Sequence, residues 1–235
     1  MRLHNFFIDR KIGDSAEFIV SDESLIHQWQ KVFRYIPGDK LVLFDGSGLE
    51  FISRISTIEK KRAILEIEER RGSRTAPAFE VWLYQSLIKK DNFETVVQKA
   101  TEIGVSHIVP LVSERTEKKD FNVERVQKIM REACEQSGRA LLPTLHDAIS
   151  FEEAVQQAIH PSLAFHVTGE QFERSKALTG KEKQLSIFIG PEGGWSDTEV
   201  NAFTHAGIPL WSLGAGTLRA ETAAVVATAL VLLQK

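Results

Sequence analysis

Residues 185–222, LSIFIGPEGGWSDTEVNAFTHAGIPLWSLGAGTLRAET, decide the fold of this chain. The apolar run at 185–189 stops at a Gly-Pro turn, which is typical of a buried strand. Residues 208–213 repeat this pattern before a second glycine turn, and each turn leads into a helix. Neighbouring parallel strands carry such turns at their carboxyl ends, where open α/β sheets bind their ligands. The stretch therefore predicts a small-molecule site made largely of main chain.

Three glycines in the first turn, Gly190, Gly193 and Gly194, allow the main chain to adopt positive φ or to approach a ligand closely. Ser196 and Glu199 follow with the spacing of a capping box, so we expect a helix to begin there. Neither turn matches a nucleotide loop: the first lacks the Gly-Lys-Ser/Thr ending of a phosphate loop, and the second lacks the third glycine of the dinucleotide fingerprint. The glycines alone therefore leave the ligand open.

The composition is that of a globular protein of 235 residues, with 43% hydrophobic and 26% charged residues. This length favours two domains. No apolar run is long enough to span a bilayer, and the N-terminus lacks the apolar segment of a signal peptide, which indicates a cytoplasmic protein. The single cysteine, Cys134, excludes an internal disulfide, and the histidines show no metal-ligand spacing, so no metal is expected. The net charge of −3 gives no general sign of nucleic-acid binding.

Residues 1–72 read as short strands separated by turns, which predicts a small β-barrel. A short helix that Ser21 can cap interrupts them. Basic side chains alternate there with aromatic rings, an arrangement that can hold RNA phosphates and stacked bases. The alternative is that the rings form the core and the charges are solvated. Residues 70–77 are polar with glycine and proline, so we expect a linker before a second domain at 73–235.

The residues after this linker alternate between strands and helices, which predicts an α/β domain with a mostly parallel sheet covered on both faces. Asn122 can cap a long helix that continues to Leu142, where Pro143 stops it. The last helix, 220–233, is apolar almost all round. We therefore expect it to be buried against the sheet, a partner subunit, or both.

Five strings identify a family when they are read together. They are QKATEIGV (98–105), VPLVSERT (109–116), EACEQSGR (132–139), IGPEGGWSDTEV (189–200) and LGAGTLRAETA (213–223). In this order and spacing they resemble the RsmE family, whose members are 16S rRNA uridine-N3 methyltransferases of the SPOUT superfamily. The resemblance covers essentially the whole chain.

The resemblance implies an RNA-binding, PUA-like β-barrel over residues 1–72 and a SPOUT α/β methyltransferase domain with a trefoil knot over residues 73–235. It further implies S-adenosylmethionine (SAM) as the methyl donor, 16S rRNA within the small ribosomal subunit as the substrate, and a homodimer. Strand patterns do not indicate a knot, and connection rules argue against knots in general. The competing hypotheses are a non-catalytic RNA-binding or ribosome-assembly module with the same fold, and an α/β enzyme that uses a nucleotide, such as a dehydrogenase.

Methylation of uracil N3 requires this nitrogen to lose its proton, so the enzyme must align the reactants and stabilise the uridinate. A guanidinium stabilises the anion by electrostatics, and Arg219, beside the second glycine turn, is predicted in this role. Glu221 or Glu135 is expected either to orient Arg219 or to accept the proton, and Arg115 is expected to reach the same cleft. The alternative is that Arg219 forms a salt bridge that fixes the start of its helix.

The residues expected to contact the donor come from the two glycine turns and their surroundings and from the preceding strand, which the resemblance makes the third side of the pocket. They are Phe165, His166, Val167, Gly190, Glu192, Gly193, Leu213, Gly214, Leu218 and Thr222. The residues expected to contact RNA are Arg2, Lys31, Arg34 and Arg139. Two features depart from the family pattern: Ala215-Gly216-Thr217 replaces a Pro-Arg-Ile/Val sequence, and Gln28 replaces a histidine.

Overall fold

A computed structural model describes residues 3–117 and 119–233, which form two compact units. The first unit contains the described residues up to Ala76 together with Cys134–Leu141, and the second contains Pro77–Ala133 and the described residues from Leu142 onward. Nothing in the sequence indicates that Cys134–Leu141 returns to the first unit. This return depends on contacts between residues that are far apart along the chain.

The first unit is built on a five-stranded sheet with the order β1-β3-β4-β5-β2. Its strands are β1 (Asn5–Phe7), β2 (Glu17–Val20), β3 (Lys40–Phe44), β4 (Leu49–Ile58) and β5 (Ala63–Gly72). β1 and β3 are parallel, whereas the other neighbours are antiparallel. Phe6 and Trp29 are buried in its core, and Phe33 and Tyr35 pack against that core. These rings are therefore mainly structural, as the alternative interpretation of the aromatic residues proposed.

The helix α1 (Glu23–Gln28) begins at Asp22, whose carboxylate accepts hydrogen bonds from the main-chain N–H groups of Ser24 and Leu25. The expected cap, Ser21, lies one residue too early and does not serve this role. Since serine and aspartate are about equally good caps, their sequence alone does not distinguish the two positions.

The second unit contains a parallel sheet of seven strands. These strands are β6 (Glu80–Ser86), β7 (His107–Val112), β8 (Thr144–Leu145), β9 (Ile149–Ser150), β10 (Ser162–Gln171), β11 (Gln184–Ile189) and β12 (Leu210–Ser212). The order is β12-β10-β11-β6-β7-β8, and β9 also pairs with β7. The expectation of an α/β fold with a mostly parallel sheet is confirmed. The two-residue strands β8 and β9 are too short to show a sequence pattern.

The helices that follow are α2 (Lys90–Ile103), α3 (Val123–Ser137), α4 (Phe151–Gln157), α5 (Arg174–Ala177), α6 (Asp197–His205) and α7 (Ala220–Leu233). The capping box predicted for α6 is present, because Ser196 and Glu199 each accept a hydrogen bond from the other's main-chain N–H. The expected extension of α3 to Leu142 is wrong. Gly138 adopts a φ of 82°, which ends the helix immediately after Ser137.

Alternate side chains of the sheet enter two cores. Leu83 and Ile187 face a core that includes α2 and α7, whereas Tyr84 and Phe188 face a core that includes α4 and α6. Because both faces are covered, the strands are largely apolar, with buried polar exceptions at Gln85, Ser86 and Ser186, and this apolar character marks them in the sequence. Within the described ranges, no helix combines the length and the apolar character that crossing a membrane requires.

Candidate functional site

The carboxyl ends of β11 and β12, together with the middle of β10, surround a cavity of about 330 Å³ in the second unit. Most residues predicted to contact a donor line this cavity: Phe165, His166, Val167, Gly190, Glu192, Gly193, Leu213 and Leu218. Gly214 and Thr222 are not part of its lining, although both adjoin it in sequence. Arg115 also contributes to the wall, as do Trp195 and Trp211, which the sequence interpretation missed. Trp195 directly follows the first glycine turn, and this position in the sequence could have predicted that it lines the cavity.

An insertion in β10 forms one wall of the cavity. Trp211 of β12 is paired with Phe165 and again with Glu170, so the four residues 166–169 leave the strand and rejoin it. His166 and Val167 of this insertion line the cavity. Burial lowers the pKa of His166, and the nearby Arg115 guanidinium lowers it further. This wall therefore presents a mostly neutral imidazole near neutral pH.

Gly169 closes this insertion against the main chain of β12. A Cβ atom at Gly169 would lie 2.6 Å from the carbonyl carbon and oxygen of Leu210 and from the main-chain nitrogen of Trp211. Main-chain atoms do not rotate away as a side chain does. The close approach of the β10 and β12 main chains therefore requires glycine at this position.

The first glycine turn is fixed by side chains behind it. Arg115 Nη1 donates to the carbonyl oxygens of Gly193, at 2.8 Å, and Trp195, at 3.2 Å. Trp195 Nε1 donates to the carbonyl oxygen of Phe165 at 3.1 Å, which ties the turn to β10. A Cβ atom at Gly193 would lie 3.3 Å from Cβ of Arg115, a tight contact, so glycine allows the turn and this arginine to approach closely. Arg115 thus shapes the cavity by holding the turn.

Glu199 has a second role beyond the capping box of α6. Its buried carboxylate also accepts a hydrogen bond of 2.9 Å from the main-chain N–H of Glu114. This bond fixes the loop that carries Arg115 to the start of α6. Glu192, which lines the cavity, accepts a hydrogen bond of 2.9 Å from the main-chain N–H of Lys89, just before α2. Both carboxylates therefore stabilise loops around the cavity.

The second glycine turn offers main-chain donors to a ligand. Ser212 Oγ donates to the carbonyl oxygen of Gly214 at 3.0 Å, and Gly214 adopts a φ of 133°. Within the part of the chain that the structure describes, the main-chain N–H groups of Gly216, Thr217 and Leu218 have no hydrogen-bond partner. All three residues line the cavity. Such N–H groups bind the hydrogen-bonding edge of a heterocycle or a hydroxyl group.

Arg219 and Glu221 lie at the start of α7, next to this turn. The carbonyl oxygen of Arg219 accepts a hydrogen bond of 2.8 Å from the main-chain N–H of Ala223, so Arg219 immediately precedes the helix. Its exposed side chain has no ion pair or hydrogen bond with any described residue, and the alternative of a salt bridge at this helix start finds no support. Oε2 of Glu221 is enclosed and likewise has no hydrogen-bond partner among residues 3–117 and 119–233.

The remaining predicted residues belong to the first unit. Glu135 accepts a hydrogen bond of 2.8 Å from the main-chain N–H of Phe7. Lys31 and Arg34 are exposed, whereas Arg139 is only 4% exposed, and burial lowers the pKa of its guanidinium. Arg2 lies outside the described residues. Among the residues described, no group of three or more histidine, cysteine, aspartate or glutamate side chains is arranged to hold a metal ion.

Comparisons with known proteins agree with this architecture. Residues 75–232 match the family model of the RNA methyltransferase domain, and residues 30–68 match that of the RNA methyltransferase PUA domain. Ribosomal RNA small subunit methyltransferase E from Synechocystis is 31% identical, over 87% of this chain and 69% of the relative. The structure of a methyltransferase from Legionella pneumophila with bound SAM superposes with a TM-score of 0.86 at 28% identity, and 98% and 97% of the two chains are covered. Ribosomal RNA small subunit methyltransferase E from Neisseria gonorrhoeae, solved with SAM, gives a TM-score of 0.85 at 27% identity, with coverage of 97% and 96%.

The two matched family models define an RNA methyltransferase with a PUA domain. The parallel sheet and the cavity beside its glycine turns agree with this class. The family follows from the similarity over nearly the whole chain. This chain belongs to the ribosomal RNA small subunit methyltransferase E family, so the resemblance stated from its sequence strings is confirmed.

Proposed function

We propose that this protein transfers a methyl group from SAM to N3 of a uridine in 16S rRNA of the small ribosomal subunit. The observation that carries the proposal is the cavity lined by both glycine turns and by residues of β10, in a member of this family. Two related proteins were solved with SAM bound. We also propose a cytoplasmic location, because the similar proteins from Synechocystis and Neisseria gonorrhoeae are named for ribosomal RNA of bacteria, whose ribosomes lie in the cytoplasm.

The cavity has the chemistry that SAM requires. Its volume of about 330 Å³ is at the small end of the range for small-molecule sites. The N–H groups at 216–218 can hold the adenine edge or the ribose hydroxyls, while Leu213 and Leu218 cover the ring. Arg115 holds the opposite turn in place. When bound, SAM supplies an electrophilic methyl group.

Arg219 stabilises the uridinate in this proposal. A guanidinium at the N-terminus of a helix is unfavourable, because the helix dipole is positive there. Arg219 nevertheless occupies this position without a carboxylate partner among the described residues. An anionic substrate would be attracted both by the guanidinium and by the N–H groups of the first turn of α7. Glu221, whose Oε2 has no hydrogen-bond partner among the described residues, orients Arg219 or accepts the N3 proton in this proposal.

The knot expected for this family is part of the proposal. The double pairing of Trp211 with Phe165 and Glu170, and the close main-chain approach at Gly169, are the observations that we offer in support of a chain that passes through a loop near β10 and β12. We likewise propose that the first unit is a PUA-like barrel, supported by its five-stranded sheet and by the matched PUA model.

The exposed cations of the first unit are proposed to contact RNA. The chain after α1 forms a π-helical turn, Trp29–Phe33, which ends at Arg34 in the left-handed conformation, with a φ of 56°. Residues other than glycine adopt this conformation infrequently, and strained residues cluster at functional sites. Lys31 and Arg34 are both exposed on this segment. Arg139 is buried and therefore less suited to a phosphate in this conformation.

We propose that two copies of the chain form a homodimer through α7. Val225, Val226 and Ala229 of this helix remain half-buried in the single chain, although the helix is apolar almost all round. Covering this face would remove apolar surface from water. Light scattering at micromolar concentration should therefore give twice the chain mass of 26.4 kDa. A mass of one chain under these conditions would contradict the dimer.

The methylation proposal is tested by incubating the protein with unmethylated small subunits, or with free 16S rRNA, and isotopically labelled SAM. Mass spectrometry of the digested nucleosides should show labelled 3-methyluridine. Calorimetry should show saturable SAM binding, which separates an enzyme from a non-catalytic RNA-binding or assembly module. Label at another base or ring position would overturn the assignment of N3, and the absence of SAM binding would overturn the enzyme itself.

A further inference from the structure

A second cavity, of about 470 Å³, opens within the first unit. It is lined by residues of β1, β3, β4 and β5, by the segment that follows β5, and by the end of α3. These residues are Leu3, Asn5, Val42, Glu50, Arg71, Arg74, Thr75, Ser137 and Gly138. No step of the proposed methyl transfer uses this cavity, and its volume falls within the range of small-molecule sites.

The charges of the cavity are centred on Glu50. This carboxylate is buried and accepts hydrogen bonds of 2.8 Å from Nε of Arg71 and 3.2 Å from the main-chain N–H of Arg74. Nη2 of Arg71 also lies 2.8 Å from Oε2 of Glu50. The charge of Glu50 is thus neutralised by Arg71, and Arg71 is fixed in return.

Arg74 adds a second positive charge to the lining of this cavity. Its side chain is 75% exposed, and its closest carboxylate contact is a distance of 4.0 Å from Nε to Oε2 of Glu50. The outer guanidinium nitrogens have no partner among the described residues. The main chain of Arg74 is fixed by Glu50, and its exposed guanidinium can offer two parallel donors to an anion with two acceptor oxygens, such as a phosphate.

The inner wall combines apolar and polar groups. Leu3 and Val42 provide aliphatic surface. Asn5 uses its Nδ2 group to donate to the carbonyl oxygen of Glu135 at 2.8 Å, which leaves its Oδ1 atom for a ligand. Thr75 Oγ1 donates to the carbonyl oxygen of Gly138 at 2.9 Å and accepts from Ser73 Oγ at 3.1 Å, which leaves one lone pair for a ligand. An unstacked RNA base is recognised through its flat faces and through hydrogen bonds to its edges, and this wall supplies aliphatic surface for the faces and fixed polar groups for the edges.

We propose that this cavity receives one unpaired nucleotide of the RNA substrate, with the base inside and its phosphate on the Arg74 guanidinium. The inference rests on the proposed function, because it names a second place where the first unit grips the same RNA. It also gives the first unit a role in selecting RNA sequence, since a base enters a pocket with fixed hydrogen-bonding groups.

The first test compares Arg74→Ala and Arg74→Lys with wild-type protein. Arg74→Ala should weaken binding of unmodified 16S rRNA about tenfold, which corresponds to the loss of one charge-assisted contact. The slope of log affinity against log salt should become shallower by about 0.7, the value for one phosphate of a single strand. Arg74→Lys should keep the slope and lose only part of the affinity. SAM affinity and melting temperature should stay unchanged in both variants, because Arg74 is exposed and lies outside the SAM cavity.

Lys181→Ala is the matched control. It removes the same charge from an exposed position just before β11, at the end of the sheet opposite the SAM cavity. Its RNA affinity and salt slope should equal those of wild-type protein. If Arg74→Ala behaves like this control, Arg74 contacts no phosphate and the inference is wrong.

The second test uses the shortest rRNA fragment that wild-type protein methylates. One phosphate at a time is replaced by a methylphosphonate. At one position this replacement should lower the RNA affinity of wild-type protein about tenfold and leave the affinity of Arg74→Ala unchanged. Removing the base of the adjoining nucleotide should also weaken wild-type binding. An effect of the phosphate without an effect of any adjoining base would show that the cavity holds no base, which would overturn the proposal.

These outcomes are separate from those that test the proposed function. If wild-type protein methylates no RNA, the function itself fails. If wild-type protein methylates rRNA and Arg74→Ala binds it with the same affinity and slope, the function stands and only the nucleotide cavity fails.

Discussion

Replacing Gly169 with alanine should prevent the second unit from folding stably. The added methyl group would lie 2.6 Å from three main-chain atoms of Leu210 and Trp211, well inside van der Waals contact. β10 and β12 are hydrogen-bonded on both sides of this point, so neither strand can move without losing pairing. We expect a loss of about 4 kcal/mol or more, which belongs to the severe end of single substitutions. Soluble yield and thermal unfolding followed by circular dichroism measure it.

Gly72→Ala is the control for this substitution. Gly72 ends β5, it has no positive φ, and a Cβ atom there would meet nothing within 4 Å. The control should therefore unfold within a few degrees of wild-type protein. A Gly169→Ala variant with the melting temperature of the control would show that β10 and β12 separate easily at this point. The support that the close approach gives to a knot would then be lost.

Local patterns predicted the elements whose boundaries depend on neighbouring residues. The bounds expected for the last helix, residues 220–233, agree with α7, because a nearly continuous apolar run marks this helix. The capping box at Ser196 was equally readable, since it involves residues three positions apart. Most of the SAM cavity followed from the same logic, because glycine turns after buried strands recur at one edge of a parallel sheet.

Contacts between residues that are far apart in the sequence could not be predicted from local patterns. Gly169 has an ordinary sequence context, and its necessity arises from the main chain of residues more than forty positions later. Glu199 was recognised as a cap, but its bond to the main-chain N–H of Glu114 spans 85 positions. Glu135 likewise lies in an RsmE-like string, whereas its bond to Phe7 makes it part of the first unit. These contact partners are set by the order in which the strands and helices pack, and no short stretch of the sequence reveals that order.

Arg219→Ala should retain SAM binding and lose most methyl transfer. The side chain does not line the cavity and has no partner among the described residues, so its removal leaves the donor site and the fold intact. Loss of one preorganised group that stabilises a developing anion typically lowers kcat by about 10²–10³-fold. We expect a loss of this size in single-turnover methylation of rRNA, with SAM affinity by calorimetry changed less than about threefold.

The helix dipole also determines how this substitution should change thermal stability. Because a cation at the N-terminus of α7 is unfavourable by about 0.3–1 kcal/mol, Arg219→Ala should melt at the same or a slightly higher temperature. A structural salt bridge would give the opposite result, with a lower melting temperature and little change in rate.

Arg219→Lys keeps the charge without the planar fork and should lose less activity than alanine. Lys128→Ala, which removes a charge from an exposed position of α3, should retain full activity. Wild-type turnover by Arg219→Ala would remove the guanidinium from the mechanism, and uridinate stabilisation would then have to come from the N–H groups of α7 alone.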